Sequence, residues 1–312
     1  MNIIVLGAAG FIGTNLICEL SKDNNNNIVA VDRSLDYFAP LKEKKLNNVM
    51  YAEADFSSST NFYDLLENQD VVYHLVSTTI PLTANQNVSE ELEANVVMTT
   101  KMLEVCVKCG IKRVIFISSG GTVYGKETAC PLVEETPTYP INSYGLQKIT
   151  IEKLLYLYHY MYGLDYRVVR LANPYGPYQR PNGLLGAVTT FTYKAICDEE
   201  ITVYGDGSVV RDYIYIDDAI RGLITVANND TKHKVYNIGC GYGTSINELL
   251  QTIECTLGKQ LRVVRKEGRK VDVPVNYLDI NRYESEFGKL SPIMLEEGIR
   301  RTDEFLRDEY IK

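Results

Sequence analysis

Tyr144 and Lys148, a phenol and an ammonium group, lie four positions apart in segment 143–148 of this chain. If the segment is helical, this spacing places both side chains on one face. An ordinary tyrosine ionises near pH 10, so a phenol that acts as a base near neutrality needs its pKa lowered by about three units, or ~4 kcal/mol of phenolate stabilisation. A lysine cation at ~4 Å could supply that stabilisation. The alternative is an accidental pair on a helix surface, and two other segments argue against it.

A glycine-rich turn follows the first apolar segment. Residues 2–6 are predicted to form a strand, which runs into glycines spaced three apart at Gly7, Gly10 and Gly13. Glycine lets the backbone approach a pyrophosphate closely, and the free amides at a helix start attract its charge. An amphipathic segment follows at 11–20. This strand-turn-helix context makes a dinucleotide site the favoured interpretation.

Asp32 ends the second predicted strand, residues 28–31. A carboxylate at this place can accept hydrogen bonds from the adenosine ribose hydroxyls and repel a 2′-phosphate, which predicts NAD rather than NADP as the cofactor. Arg33 weakens that preference. An ordinary turn residue at a strand end is the alternative role for Asp32.

A third segment places hydroxyl groups after a buried strand. Residues 114–117 are apolar and lead into Ser118, Ser119 and, after two glycines, Thr122. Because the carboxyl ends of parallel strands border the ligand crevice, these hydroxyls are expected to face the ligand.

These motifs together resemble those of the extended short-chain dehydrogenase/reductase superfamily, particularly its NAD-dependent nucleotide-sugar epimerases, dehydratases and reductases. The resemblance covers nearly the whole chain. It includes Asn-Pro-Tyr-Gly-Pro at 173–177, Tyr-Gly-Asp-Gly at 204–207 and Arg-Asp-Tyr-Ile-Tyr-Ile-Asp-Asp at 211–218. It implies an α/β fold, with a Rossmann-type doubly wound parallel sheet and a smaller α/β lobe that binds a nucleotide-diphosphate sugar, UDP- or dTDP-linked.

The resemblance also implies which residues hold NAD. Asp55 and Phe56 resemble the pair that contacts adenine, although a bare turn aspartate is the alternative. Asn95 resembles a helix asparagine that braces the active-site strand, and His74 is expected to be packed rather than catalytic. The cofactor set is Gly7, Gly10, Phe11, Ile12, Gly13, Asp32, Asp55, Phe56, Leu75, Ser77, Asn95, Ser118, Tyr144 and Lys148.

Substrate contacts are implied mainly in the second half of the chain. Asn173 matches an asparagine that bonds the phosphate region, and Arg211 and Arg269 match arginines that grip the pyrophosphate, as guanidinium forks can. Surface charge balance is the alternative for each arginine. Asn276 stands where glucose-specific 4-epimerases carry tyrosine, and a smaller residue there would admit a 2-acetamido sugar. The substrate set is Ser77, Thr122, Asn173, Arg211, Arg269 and Asn276.

Gly120 departs from the family pattern, because most relatives carry a catalytic serine or threonine at this place. The hydroxyl that polarises the sugar oxygen is therefore expected from Thr122 or, as second choice, Ser119. The Thr-Asp-Glu run that 4,6-dehydratases use in this loop is missing, which disfavours water elimination.

The implied chemistry begins with Tyr144 as the base that takes a proton from a sugar hydroxyl while hydride passes to NAD. If hydride returns to the other face of the 4-keto sugar, the reaction is 4-epimerisation, which Asp32 and tightly held NAD favour. A single reduction of a 4-keto-6-deoxy sugar with NAD(P)H is the alternative. An NAD-binding regulator without turnover is a third hypothesis, suggested by Gly120.

Net charge, cysteine content and the lack of long apolar runs indicate which partners and which cellular compartment to expect. The 312 residues carry a net charge of −8, and the isoelectric point is near 5.1. An acidic chain without a basic stripe argues against nucleic acid as a partner. Seven cysteines, an odd number without a regular framework, are expected to be free thiols in a reducing cytoplasm. With neither a signal peptide nor an apolar run of membrane length, we expect a soluble cytoplasmic protein without a metal site or membrane contact.

Strands and helices alternate along the first half, which predicts a parallel sheet covered on both faces. The predicted strands lie near 2–6, 28–31, 49–53, 70–75, 113–118 and 166–170. The periodicity loosens after Asn173, so we predict a cofactor lobe at 1–172, to which later segments return, and a mainly substrate-binding lobe at 173–312. The longest predicted helices, 91–109 and 143–162, match the pair through which superfamily members commonly form homodimers.

Overall fold

The computed structural model describes residues 1–81, 83–126, 129–181, 186–268 and 273–311. Its strands are β1 (Asn2–Leu6), β2 (Asn27–Asp32), β3 (Val49–Glu53), β4 (Val71–His74), β5 (Arg113–Ser119), β6 (Asp165–Leu171), β7 (Asn173–Tyr175), β8 (Ile201–Tyr204), β9 (Val210–Arg211), β10 (Tyr213–Tyr215), β11 (Val235–Ile238), β12 (Thr244–Ser245), β13 (Val263–Lys266) and β14 (Val275–Asn276). Its α-helices are α1 (Phe11–Leu20), α2 (Ala39–Lys42), α3 (Phe62–Leu66), α4 (Val88–Leu92), α5 (Met98–Cys109), α6 (Ser143–Tyr162), α7 (Ala187–Ile196), α8 (Ile216–Asn228), α9 (Ile246–Leu257), α10 (Asn281–Phe287) and α11 (Leu295–Tyr310). A short 3₁₀-helix lies at Leu35–Phe38, and a turn of π-helix, Glu93–Val97, joins α4 to α5.

Within the described residues, seven strands form one parallel sheet in the order β11-β6-β5-β4-β1-β2-β3. The predicted Rossmann-type α/β class is confirmed. The sheet changes direction of winding between β1 and β4, and ligands bind at such a switch point, beyond the carboxyl ends of the strands. The strand β11 was not predicted, because its four residues include the polar Asn237 and lie where the periodicity is weak.

Apolar helix faces cover both sides of this sheet. On one side, Leu16 of α1 and Val226 of α8 belong to one buried cluster. On the other, Leu103 of α5 and Leu155 of α6 belong to a second buried cluster. The helix that carries Tyr144 is therefore held against the sheet by its apolar face, which fixes its start near the end of β5.

The helix α6 has defined ends. At its start the Asn142 side chain accepts a hydrogen bond from the Gly145 amide at 2.8 Å, and at its end Gly163 adopts a left-handed φ of +72°. The chain enters α6 one residue before Tyr144, so this cap sets the position of the phenol.

Short strands outside the large sheet carry the candidate substrate residues. They form the pair β10-β7, the three-stranded group β12-β9-β14 and the pair β13-β8. In the part of the chain that the structure describes, none of the helices combines the length and apolar character needed to cross a membrane.

Candidate active site

The glycine turn between β1 and α1 is built by close backbone contacts. Gly7 has a φ of +82°, and a Cβ there would lie 3.1 Å from backbone atoms after β4. A Cβ on Gly13 would lie only 2.5 Å from the Gly7 carbonyl oxygen. Gly10 is exposed at the start of α1 and carries no side-chain cap, so the first-turn amides, which include those of Phe11 and Ile12, are open to an anionic group.

Asp32 is fixed beside this turn at the end of β2. Its carboxylate accepts hydrogen bonds from the Ala9 and Arg33 amides, each at 2.9 Å. The Arg33 guanidinium stacks over the Tyr37 ring, 5.5 Å from its centroid. The half-buried carboxylate is thus oriented by the same turn that would hold a pyrophosphate, as a ribose acceptor has to be.

Of the two expected adenine contacts, Asp55 is open to solvent, whereas the ring of Phe56 is packed against other rings. Asp55 is exposed and borders a surface depression together with Thr60. The Phe56 ring packs against Phe62 and against His74, with centroids 5.2 and 5.3 Å away. Since its ring is used in this packing, Phe56 would contact a cofactor through its backbone.

His74 is buried at the end of β4. Its Nε2 lies 2.8 Å from the Thr99 hydroxyl, which itself donates to the Asn95 carbonyl at 2.6 Å. Burial, reinforced by the nearby Lys148 charge, lowers the pKa of His74 to about 3. The imidazole is therefore neutral and packed.

Asn95 lies in the π-helical turn and braces the loop after β4. Its Oδ1 accepts from the Thr78 amide at 2.9 Å, and its Nδ2 donates to the Thr78 hydroxyl at 2.9 Å. Ser77 is exposed in this loop, and its hydroxyl donates to the Thr79 carbonyl at 2.8 Å. Leu75 continues from β4 through a hydrogen bond from its amide to the Leu6 carbonyl. Asn95 thus positions the loop from behind.

Tyr144 and Lys148 do share one face of α6. The Lys148 ammonium lies 5.5 Å from the centroid of the Tyr144 ring, 4.8 Å from that of Phe116, and donates to the Ile117 carbonyl at 2.9 Å. Burial lowers the pKa of Lys148 to about 8, although the Glu152 charge opposes this. The buried lysine is thus anchored to β5 and directed over the phenol ring.

The expected acidification of Tyr144 is wrong for the polypeptide alone. Burial raises the pKa of Tyr144 to about 12. The lysine does not overcome this effect, because its ammonium faces the ring and is bonded to the Ile117 carbonyl. A further positive group beside this phenol would favour its ionisation.

Ser118 does not present its side chain to the ligand crevice. Its buried hydroxyl donates to Glu152 at 2.5 Å, and Glu152 forms a buried ion pair with Arg170 at 2.7 Å. Only the backbone of Ser118 is left for the predicted cofactor contact.

The hydroxyl of Thr122 is available at the end of the same strand. Its Oγ1 is buried and makes no hydrogen bond with any residue that the structure describes. An unsatisfied buried hydroxyl is costly, which is typical of a group that a ligand completes. Ser119, the second choice, is half-buried in the same turn.

The candidate substrate residues converge on this turn. Asn173 donates through its Nδ2 to the Asp212 carbonyl at 2.9 Å. Arg211 of β9 pairs in register with Asn276 of β14, and Asn276 is buried with its Nδ2 3.3 Å from the Gly120 carbonyl. Arg211 itself donates to the carbonyls of Val210 and Val273 at 2.8 and 2.6 Å. Arg269 lies outside the described residues.

Asp212 is a site residue that the sequence analysis did not single out. Its fully buried carboxylate accepts from the Cys240 amide at 2.8 Å and the Leu278 amide at 3.3 Å. Burial raises the pKa of Asp212 to about 6. The only sequence signal was its place in the 211–218 motif, which does not reveal that one carboxylate joins three distant segments.

Among the described residues no group of histidine, cysteine and acidic side chains is arranged to hold a metal ion. The seven cysteines are free thiols, of which Cys106 and Cys240 are buried.

Comparisons with known proteins agree with this geometry. The model of the NAD dependent epimerase/dehydratase family matches residues 3–239. The structure is similar to that of UDP-glucose 4-epimerase from Thermotoga maritima with UDP-glucose, at 32% identity and a TM-score of 0.90, over 99% of each chain. It is also similar to UDP-glucuronic acid 4-epimerase from Bacillus cereus with UDP-glucuronic acid and NAD, at 28% identity and a TM-score of 0.88, over 99% of this chain and 100% of that one. A dTDP-4-dehydro-6-deoxyglucose reductase from Escherichia coli is 30% identical over 98% of this chain and 97% of its own length.

Proposed function

We propose, from the premise that this chain belongs to the NAD dependent epimerase/dehydratase family, that it catalyses 4-epimerisation of a nucleotide-diphosphate sugar. NAD is the cofactor of the family. One observation carries the proposal: the buried Lys148 is bonded to β5 and lies over the Tyr144 ring, beside the switch point of the sheet. Thr122, in the turn after β5, has a buried hydroxyl without a partner among the described residues.

The residues of this chain fit NAD. The glycine turn offers open helix amides to the pyrophosphate, and Asp32 is held as an acceptor for the ribose hydroxyls. When bound, NAD supplies an oxidised nicotinamide ring that carries positive charge and accepts hydride from the sugar.

The polypeptide moves the proton. Tyr144, as phenolate, takes the proton of the sugar 4-hydroxyl, and the Thr122 hydroxyl bonds the same sugar oxygen. Lys148 favours the ionised phenol through its charge. Burial raises the pKa of Tyr144 to about 12, so the positive charge that bound NAD would supply would favour ionisation of the phenol. Tyr144 would return the proton to the sugar oxygen as hydride is restored to the opposite face of the turned sugar, and this completes the inversion.

The diphosphate would be held by the second half of the chain. Arg211 lies on β9, next to Asn276, and Asn173 is anchored to the Asp212 backbone. Guanidinium forks suit bidentate phosphate contacts, and Arg269 is the proposed partner of Arg211. Structural neighbours bind UDP-sugars, so a UDP-linked sugar is the first candidate. Asn276 in place of a tyrosine would leave room for a 2-acetamido group.

A second candidate is reduction of a 4-keto-6-deoxy nucleotide sugar, which the similarity to the Escherichia coli reductase favours. Both reactions use Tyr144, Lys148 and Thr122. The difference is whether hydride returns to the sugar from which it came.

The deciding experiment incubates the purified protein, without added cofactor, with UDP-glucose, UDP-N-acetylglucosamine and a dTDP-4-keto-6-deoxy sugar. Conversion of an ordinary UDP-sugar without net cofactor use supports the epimerase and excludes the reductase. Consumption of NAD(P)H in step with the keto sugar excludes the epimerase. NAD binding without turnover of any of the three supports the regulator hypothesis.

We also propose that two copies pair through α5 and α6. The outer face of α6 exposes Tyr156, Leu157, Tyr160 and Met161, of which Tyr160 is 79% exposed. This spacing lines one helix face, and Val97 beside α5 is exposed as well. An apolar stripe of this kind is typical of a protein interface.

A further inference from the structure

The side chain of Leu278 fills the space next to Gly120, at the carboxyl end of β5. A Cβ placed on Gly120 would lie 2.6 Å from Cδ1 and 2.8 Å from Cδ2 of Leu278. Real Cβ atoms essentially never come closer than 3.0 Å to such atoms. Leu278 is fully buried in a small cluster with Val123, Tyr124 and Leu132. A side chain at position 120 would therefore force the Leu278 side chain to shift within its buried cluster.

The backbone around Leu278 is fixed on both sides. Its amide donates to the buried Asp212 carboxylate at 3.3 Å, while the Leu132 amide donates to the Tyr277 carbonyl at 3.0 Å and the Asp279 amide to the Leu132 carbonyl at 2.9 Å. These contacts prevent the segment from moving away to make room at Gly120.

The other hydroxyls of the turn are not equivalent. Ser118 is engaged by Glu152, whereas the Thr122 hydroxyl is buried without a partner among the described residues. Position 120 is a glycine, and a hydroxyl-bearing side chain there would have to displace the buried Leu278 side chain. The remaining candidates are the hydroxyls of Ser119 and Thr122. Of these two, only the Thr122 hydroxyl is a buried group without a hydrogen-bond partner among the described residues.

We propose that Leu278, from the second half of the chain, is a positioning residue: it fills the volume that a side chain at position 120 would need, so that the turn works with glycine there and with Thr122 as the polarising hydroxyl. This inference rests on the proposed function. It predicts that a hydroxyl introduced at position 120 can replace that of Thr122 only when the volume of residue 278 is reduced.

The packing step is tested by thermal unfolding, which needs no turnover. Gly120→Ala is expected to lower Tm by several degrees, because overpacking a filled core is destabilising. The matched control is Gly121→Ala, because a Cβ there would meet nothing nearer than 3.9 Å and Tm should hardly change. In the Leu278→Ala background, Gly120→Ala should cost no stability. Equal Tm losses in both backgrounds would overturn the inference while leaving the proposed function intact.

The catalytic step is tested by moving the hydroxyl. Thr122→Val should reduce kcat about a hundredfold on the UDP-sugar that the wild type converts, with a smaller change in KM, because a donor to the reacting oxygen is lost. Adding Gly120→Ser together with Leu278→Ala should restore kcat at least about tenfold, whereas Gly120→Ser alone should not. Rescue by Gly120→Ser with Leu278 intact would contradict the proposal, as would no rescue in a triple variant that is at least as stable as Leu278→Ala alone. If the wild type itself converts no sugar, the proposed function fails and the Tm comparison alone decides whether Leu278 excludes residue 120.

Discussion

The ammonium nitrogen of Lys148 lies 5.5 Å from the centre of the Tyr144 ring and is tethered to the Ile117 carbonyl at 2.9 Å. The lysine charge is thus held by β5 at a fixed distance from the phenol, even though burial disfavours the charged form of Lys148. A charge kept in a buried place at a cost in stability is typical of a functional site.

Lys148→Met is expected to raise stability and abolish turnover. Burial lowers the pKa of Lys148 to about 8 from 10.5, so the folded state disfavours the charged form. This cost is fully present below pH 8 and fades as the pH rises towards 10.5, because the unfolded lysine then loses its proton too. At pH 7 the cofactor-free variant should gain ~2 kcal/mol in the free energy of unfolding, and the gain should shrink by pH 10.

Denaturant unfolding at the two pH values checks this, with the exposed Lys153→Met on the same helix as the control. A variant that is less stable than wild type at pH 7, or a gain that grows with pH, would count against a buried charged lysine.

Two alanine substitutions should separate folding from cofactor binding in the glycine turn. Gly13→Ala places a Cβ 2.5 Å from the Gly7 carbonyl oxygen, so we expect a loss of Tm by several degrees. Gly10→Ala meets only one atom, at 3.4 Å, and should keep Tm while weakening NAD binding about tenfold, because its site faces the open amides. Thermal unfolding and calorimetric titration with NAD measure the two effects. Equal Tm losses in the two variants would refute the assigned roles.

Asp32→Ser should shift cofactor preference. The carboxylate is oriented by the Ala9 amide at 2.9 Å, so its removal deletes a ribose acceptor and a charge that repels a 2′-phosphate. We expect NAD affinity to fall about tenfold and NADP affinity to rise, as measured by calorimetric titration with each dinucleotide. Asp36→Ser, an exposed acid nearby, is the control. Unchanged discrimination between the two dinucleotides would show that Asp32 does not face the ribose.

Tyr160→Glu should give monomers if the α6 face is the interface between copies. Tyr160 is 79% exposed in the single chain. A charge placed there, in the middle of the apolar stripe, is costly once the stripe is buried. Sedimentation at several protein concentrations gives the mass of wild type and variant. Lys289→Glu, an exposed residue outside α5 and α6, is the control, and a wild type that sediments as a monomer would exclude this pairing.

The local parts of the fold were predictable from the sequence. The strand-turn-helix unit at the start of the chain is specified locally, by a short apolar strand, glycines three apart and an acid after the second strand. Turn chemistry and hydrophobic periodicity act over a few residues, so the sequence alone reveals them. The Tyr144 and Lys148 spacing likewise needed only a helix. The six strands of the first half follow the same local rule.

The long-range parts of the site were not predictable in this way. The Asp212 carboxylate joins its own segment to two distant ones through the amides of Cys240 and Leu278. Leu278 also fills the space beside Gly120, although more than half the chain separates them. No periodicity records such contacts. The raised pKa of Tyr144 is of the same kind, because burial depends on everything packed around the phenol.

The most direct test of the account is the turnover of Tyr144→Phe on the UDP-sugar that the wild type epimerises, with bound NAD and Tm measured on the same samples. We predict that kcat falls at least about a thousandfold while Tm and NAD content stay at wild-type values, because only the proton acceptor is lost. A Tyr144→Phe protein that retains a tenth or more of the wild-type kcat would contradict the assignment of this phenol as the base.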